Sequence, residues 1–204
     1  MYQKVLTSYI ECIKLYPSNE RRDTEMKEVQ PIRSREDIAN MRAKLAKGGS
    51  RNKLLFDMGI NTGLRVSDLL KLKVGDVRGK DFYQLQEQKT GKSKRINLHA
   101  VKEQITEYTN GMQDSESLFP SRKGGSPLTR VQAYRILNDA AEACGLEEIG
   151  THTLRKTYGY HFYQKYHDVA ALQKLFNHSA PSITLRYIGI EQDQLDAMTN
   201  DFAL

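Results

Sequence analysis

Residues 81–98 of this 204-residue chain carry a strand alternation among stretches with a helical rhythm. Phe82, Tyr83 and Leu85 alternate within an extended segment from Asp81 to Gln88. Thr90-Gly91-Lys92 supplies a turn signal, and Arg95-Ile96-Asn97-Leu98 returns as a second strand. On either side, apolar residues recur at intervals of three and four, the period of a helix with one buried face. The expected fold is therefore mainly α with a small antiparallel β-sheet.

Ser34 followed by Asp37 reads as a helix start, with Ile38, Met41 and Leu45 on its apolar face and Gly48-Gly49-Ser50 at its end. A second helix carries Leu54, Leu55 and Met58 toward Gly63, and Val66 to Leu72 forms a short third with Leu69, Leu70 and Leu72 buried. After the hairpin come four stripes. They are Val101, Ile105 and Tyr108; then Val131, Tyr134, Leu137 and Ala141, closed by Gly145; then Leu154, Tyr158, His161 and Phe162; then Val169, Leu172, Leu175 and Phe176. Residues 1–17 hold a short amphipathic stretch and residues 18–31 are polar and linker-like, so residues 1–30 read as a helical segment and linker before the compact domain.

A formal charge of +6 and an isoelectric point near 9.2 favour polyanionic partners without identifying one. Cys12 and Cys144 have neither metal-site spacing nor the makings of a disulfide framework, which points to a reducing, cytoplasmic compartment. No apolar run approaches a membrane span, and no carboxylate or histidine cluster has metal-ligand spacing.

The chemistry lies in four short motifs. In Thr62-Gly63-Leu64-Arg65-Val66-Ser67-Asp68-Leu69-Leu70, Gly63 makes a tight turn and Arg65 enters the first turn of a helix, where backbone N–H groups and a guanidinium converge on an anion. A plain Arg65–Asp68 surface pair is the competing account. Lys89 sits at the hairpin tip in Gln88-Lys89-Thr90-Gly91-Lys92-Ser93-Lys94-Arg95, where it is either solvated or directed into a DNA groove. His152 and Arg155, three apart, share a helix face. His178 precedes Pro181 at a helix start, and Tyr187 follows nine residues later.

The ordered set Arg65, Lys89, His152-x-x-Arg155, His178 and Tyr187 resembles the catalytic domain of the tyrosine recombinases, the phage-integrase family. The local wording is also similar: Thr-Gly-Leu-Arg-x-x-Asp-Leu-Leu-x-Leu, Lys-Thr-Gly-Lys, His-Thr-Leu-Arg-Lys-Thr and Asn-His-Ser. The resemblance spans residues 31–190 and implies the fold of the DNA breaking-rejoining enzymes. It implies site-specific DNA cleavage by Tyr187 through a 3′-phosphotyrosyl link, with no metal, ATP or other cofactor. In that scheme Arg65, Arg155 and His178 stabilise the charged transition state and His152 helps to activate Tyr187. Lys89 protonates the leaving 5′-oxygen, Asp68 supports the site, and Lys92, Lys94 and Arg95 meet DNA.

The implied partners are double-stranded DNA, a homo-tetramer formed on it, and accessory DNA-bending proteins. Two details depart from the family pattern: Asp68 stands where Glu is frequent, and Phe176-Asn177 where Leu-Gly is commoner. Family members often carry a core-binding domain ahead of the catalytic one, so the chain reads either as part of a longer integrase or as a small recombinase. Residues 191–204 place Leu195, Met198 and Phe202 on one stripe and are expected to form a tail, packed in cis or exchanged between protomers. A non-catalytic DNA-binding module with the same fold, or a strand relaxer of the type IB topoisomerase kind, are the alternative readings.

Overall fold

The computed structural model describes residues 29–86, 93–122, 124–147 and 149–202; in the last helix, the side chains at 191, 192, 194, 195, 197 and 198 fall outside that description. The helices are α1 (Arg35–Lys47), α2 (Ser50–Thr62), α3 (Val66–Leu69), α4 (Val74–Val77), α5 (Lys102–Tyr108), α6 (Arg130–Glu142), α7 (Thr153–Tyr166), α8 (Val169–Phe176), α9 (Pro181–Tyr187) and α10 (Ile190–Asp201). Between α4 and α5, β1 (Phe82–Gln86) pairs antiparallel with β2 (Ser93–Asn97), Tyr83 facing Ile96 and Leu85 facing Lys94. The mainly helical fold with one two-stranded sheet is the expected one; the second strand begins two residues earlier and ends one residue earlier than read from the sequence. Residues 87–92, including the turn signal, lie outside the described residues.

Local chemistry accounts for the helix ends. The Ser34 hydroxyl accepts from the backbone N–H of Glu36 and Asp37, capping α1. Thr129 and Gln132 exchange side chain-to-backbone bonds of 3.2 and 2.8 Å, a capping box that starts α6. Asp168 caps α8 through the Ala171 N–H. Pro181 occupies the first turn of α9, where its missing N–H costs nothing.

Three apolar clusters hold these elements. The largest joins α2, α3 and α4 to Ile96 of the hairpin and to Phe119. A second packs Met41 and Leu45 of α1 against Phe56, Leu137 and Leu154. The third, around Leu172, Phe176, Ile188 and Ile190, carries the last three helices on α7. Gly159 makes that last packing possible: a Cβ there would lie 2.7 Å from both Ile188 and Phe176.

Two expectations need correction. In α6, Val131 and Tyr134 are 59 and 44% exposed, and the buried face is instead Ala133, Leu137, Ala140 and Ala141. Spacings of four, three and one define that face; the small alanines admit the close approach of α1, and the larger residues turn outward. The helix expected over Val66–Leu72 stops at Leu69. Leu70 and Leu72 are nevertheless buried, because the turn that follows folds back onto the same core.

Candidate active site

The helix α7 begins at the centre of the site. Its N-cap is His152, and Arg155 lies in its first turn, only 4% exposed. A buried guanidinium needs acceptors. Arg155 finds them by donating from Nη1 to the Gly63 carbonyl at 2.6 Å and from Nη2 to the Phe176 carbonyl at 2.9 Å. Its guanidinium carbon also lies 4.1 Å from the centre of the Phe176 ring.

Gly63 can offer that carbonyl because it ends α2 in the left-handed region, φ +64, and a Cβ would strike the Tyr158 ring at 2.6 Å. The Thr62–Arg65 turn is thereby tied to the His152-x-x-Arg155 motif. Arg65, exposed as the N-cap of α3, lines an opening of about 150 Å³ together with Ser67, Arg130, Thr151, His152 and Arg155. Among the described residues no ion pair joins Arg65 to Asp68. The plain surface-pair account of Arg65 is therefore not what the fold adopts.

Phe176 ends α8, and Asn177 follows with φ +54. Asparagine tolerates this conformation better than most residues, which explains why it can stand where glycine is commoner. The turn delivers His178, whose Nδ1 lies 3.0 Å from the Thr184 hydroxyl. Thr184 is fully buried on α9, three residues before Tyr187.

Tyr187 closes α9. Its hydroxyl is 3.3 Å from His152 Nδ1, and it receives a hydrogen bond from Arg155. The rings of Phe176 and His178 stand edge-on to it at 5.7 and 5.2 Å, and Lys156 Nζ lies 5.3 Å from its ring centre. For His152 to accept the phenolic proton at Nδ1, its own proton must sit on Nε2.

The electrostatics follow from burial beside fixed positive charge. Burial pushes the Tyr187 phenol above its ordinary 10.0, partly offset by Arg155 and Arg65. Burial, then Arg130, Arg155, Lys156 and Arg65, hold His152 below 6.5. Burial, Arg155, Arg65 and Lys94 do the same for His178. Both imidazoles are thus kept neutral near pH 7, and a transition state gaining negative charge would meet two arginines already in place.

Arg65, His152, Arg155, His178 and Tyr187 are therefore gathered into one constellation. Lys89 and Lys92 lie outside the described residues. Asp68 is half-buried on α3, and after burial and Asp76 its charge helps to raise the Tyr83 phenol. Lys94 turns inward and its ammonium donates to the Leu175 carbonyl, while the Arg95 guanidinium carbon lies 3.4 Å from the Phe82 ring centre. Sequence reasoning missed Arg130, Lys156 and Thr184 as neighbours of the site. Thr184 had a readable signal, its three-residue spacing from Tyr187, whereas Arg130 enters from a helix more than twenty positions before His152.

Residues 34–193 match the family model described as the phage integrase family. The chain belongs to the phage-integrase family of tyrosine recombinases. It is 54% identical over 166 residues to a probable integrase/recombinase, YoeC, of Bacillus subtilis, covering 81% of this chain and 92% of that protein. It is 32% identical over 157 residues to the tyrosine recombinase XerC of Herpetosiphon aurantiacus, covering 72% of this chain but only 50% of that protein. The fold is that of solved recombinases. XerA recombinase superimposes with a TM-score of 0.69 at 18% identity, over 88% of this chain and 66% of that one. XerH site-specific recombinase bound to difH substrate gives 0.64 at 20% identity, over 87 and 56%. The family and its relatives make this chain a site-specific recombinase in kind rather than a binding module that has lost its reaction.

Proposed function

We propose that Tyr187 attacks a scissile phosphate of double-stranded DNA, forming a 3′-phosphotyrosyl link and releasing a 5′-hydroxyl. The phenolic oxygen forms the new P–O bond as the bond to the 5′-oxygen breaks. His152 takes the phenolic proton, and Lys89 supplies one to the leaving oxygen. A 5′-hydroxyl then attacks the link, and the same groups run in reverse, so that no metal and no high-energy cofactor enters the balance. Arg65, Arg155 and His178 hold the non-bridging oxygens where charge accumulates.

The observation that carries this reading is the convergence on one phenolic hydroxyl of His152 Nδ1, at 3.3 Å, and the buried Arg155. Asp68 supports the α3 side of the site, and Lys92 and Arg95 of the hairpin contribute to DNA contact, whereas Lys94, expected there too, is turned inward onto the Leu175 carbonyl. Residues 31–190 are the catalytic unit, and residues 191–204 are a tail that packs in cis or is exchanged between protomers; the segment read as helix and linker before them falls, over residues 1–28, outside the described residues. The working assembly is a homo-tetramer on DNA in the cytoplasm, with accessory DNA-bending proteins setting the geometry of some sites.

The test is to express the wild type and Tyr187→Phe in bacterial cells and sequence the DNA recovered covalently on the protein. Adducts at discrete sites, present only with Tyr187, are the expected result; their absence from the wild type would overturn the reading. A Lys89→Ala variant should cleave ordinary DNA slowly and recover on a substrate with a 5′-thiolate leaving group, and no recovery would remove Lys89 from the acid role.

A further inference from the structure

The imidazole of His178 is held at one nitrogen. Nδ1 lies 3.0 Å from the Thr184 hydroxyl, and among the described residues no hydrogen-bond partner meets Nε2. Thr184 is fully buried on α9, one helical turn before Tyr187. A hydroxyl carries one proton and two lone pairs, whereas a neutral imidazole has one N–H and one bare nitrogen. The contact can therefore be made in two ways. If Nδ1 holds the ring proton, Thr184 accepts it and Nε2 is bare. If Thr184 donates, Nδ1 is bare and the ring proton sits on Nε2. The difference decides what His178 can do, because a non-bridging phosphate oxygen carries no proton and is bound only by a donor.

The second contact of Thr184 separates the two arrangements. Its hydroxyl also faces the Ala180 carbonyl, but at 3.5 Å, the outer limit of a hydrogen bond. That carbonyl already accepts from the Thr184 backbone N–H at 3.4 Å. The closer Nδ1 is thus the better outlet for the hydroxyl proton. The surroundings of the ring act in the same direction. Burial, then Arg155 of α7, Arg65 at the start of α3 and Lys94 of β2, disfavour the imidazolium that would carry both protons. Tyr187 and Phe176, its aromatic neighbours, stand edge-on and bring no carboxylate to offset those cations.

We propose that Thr184 is a positioning residue: its hydroxyl donates to His178 Nδ1 and keeps the ring proton on Nε2, where the neutral imidazole donates to a non-bridging oxygen of the scissile phosphate. The inference rests on the recombinase reading above for the phosphate, and on the hydrogen-bond geometry alone for the proton. It gives α9 two tasks. The short helix that carries the nucleophile also sets the form of the histidine that must meet the charge the nucleophile creates.

The test uses the full chain labelled with nitrogen-15 at histidine. Long-range proton–nitrogen spectra at about pH 7.5, where these rings are neutral, identify the protonated nitrogen of each one. Loss of a signal set in His178→Gln assigns His178. The wild type should show a protonated Nε2 and a bare, hydrogen-bonded Nδ1. Thr184→Val replaces the hydroxyl by a methyl group; its Nδ1 resonance should shift to that of a bare nitrogen without a partner, with a population protonated at Nδ1 beside it. On a duplex carrying a site recovered with the wild type, this variant should form adducts roughly 10- to 10²-fold more slowly, short of the full cost of deleting a donor to a developing oxyanion. Its duplex affinity should stay near that of the wild type. Thr184→Ser, which keeps the hydroxyl, should restore both the spectrum and the rate.

A wild-type ring protonated at Nδ1 would overturn the proposal. So would Thr184→Val nitrogen resonances that match the wild type, or Thr184→Val adduct formation at the wild-type rate. The wild-type spectrum needs no variant, so it decides the direction of the bond even where Thr184→Val fails to fold. A wild type with a protonated Nε2 that forms no tyrosyl adducts defeats the recombinase reading and leaves the hydrogen bond as assigned. Adducts formed by a ring protonated at Nδ1 defeat this proposal and leave that reading intact.

Discussion

His152 Nδ1 stands 3.3 Å from the Tyr187 hydroxyl across 35 residues of chain. Neither group is there by its own helix alone: α7 presents the imidazole at its N-cap, while α9 is seated on α7 through Phe176 and Ile188. Replacing the base should therefore spare the fold and damage the chemistry. His152→Gln is expected to lower the rate of adduct formation by roughly 10²- to 10⁴-fold, the usual worth of a positioned base. Single-turnover trapping of the protein–DNA adduct, alongside thermal unfolding, checks both halves.

Acid should affect rate later than it does for an exposed imidazole. Burial and neighbouring cations hold His152 and His178 below 6.5, so the base stays unprotonated as pH falls through that value. Adduct formation should be level from about pH 8 through 6.5 and fall only below it. Stability follows from the same shifts. Below the ordinary value the unfolded chain binds more protons than the folded one, so these two groups favour unfolding progressively as the medium becomes more acidic. Tyr187 has the opposite sign, since its raised pKa makes the folded state hold its proton longer and its contribution is lost as pH rises past 10.0. Paired pH profiles of rate and of melting temperature separate the effects.

Arg155→Lys keeps the charge but cannot span both the Gly63 and Phe176 carbonyls. Leaving one buried acceptor unsatisfied costs about 1–3 kcal/mol, so the variant should melt earlier as well as cleave more slowly. A normal melting temperature with slow cleavage would mean that the carbonyl bonds contribute little to the fold.

Most of this architecture could be read from residue spacing, and the reasons are local. The helices announced themselves because their buried faces repeat at three and four, and the hairpin because Tyr83, Leu85 and Ile96 alternate. The burial of α6 was misjudged since Ala133, Ala140 and Ala141 carry little hydrophobic signal, whereas Val131 and Tyr134 carry much and stay exposed. At the site, the motifs named Arg65, His152, Arg155, His178 and Tyr187, but no spacing could say that Arg155 is held by two backbone carbonyls. Nor could it bring Arg130 beside His152, because that proximity depends on how two helices cross. The inward turn of Lys94 toward the Leu175 carbonyl was equally unreadable, since a lysine in a basic strand looks solvated.

Gly159→Ala tests the seat of the nucleophile. The added methyl would meet Phe176 and Ile188 at 2.7 Å, and overpacking of this kind costs about 1–3 kcal/mol. Thermal unfolding should register the loss, and adduct formation should fall further than stability alone predicts because α9 is displaced with its tyrosine.

The burial of Tyr187 gives the resting protein a form of restraint. A phenol whose burial beside Phe176 and His178 raises its pKa above the ordinary value is a poorer reagent toward phosphoesters or electrophiles than an exposed tyrosine. In the proposed reaction, a backbone seated against Arg65 and Arg155 is what would stabilise the charge that this phenol must develop.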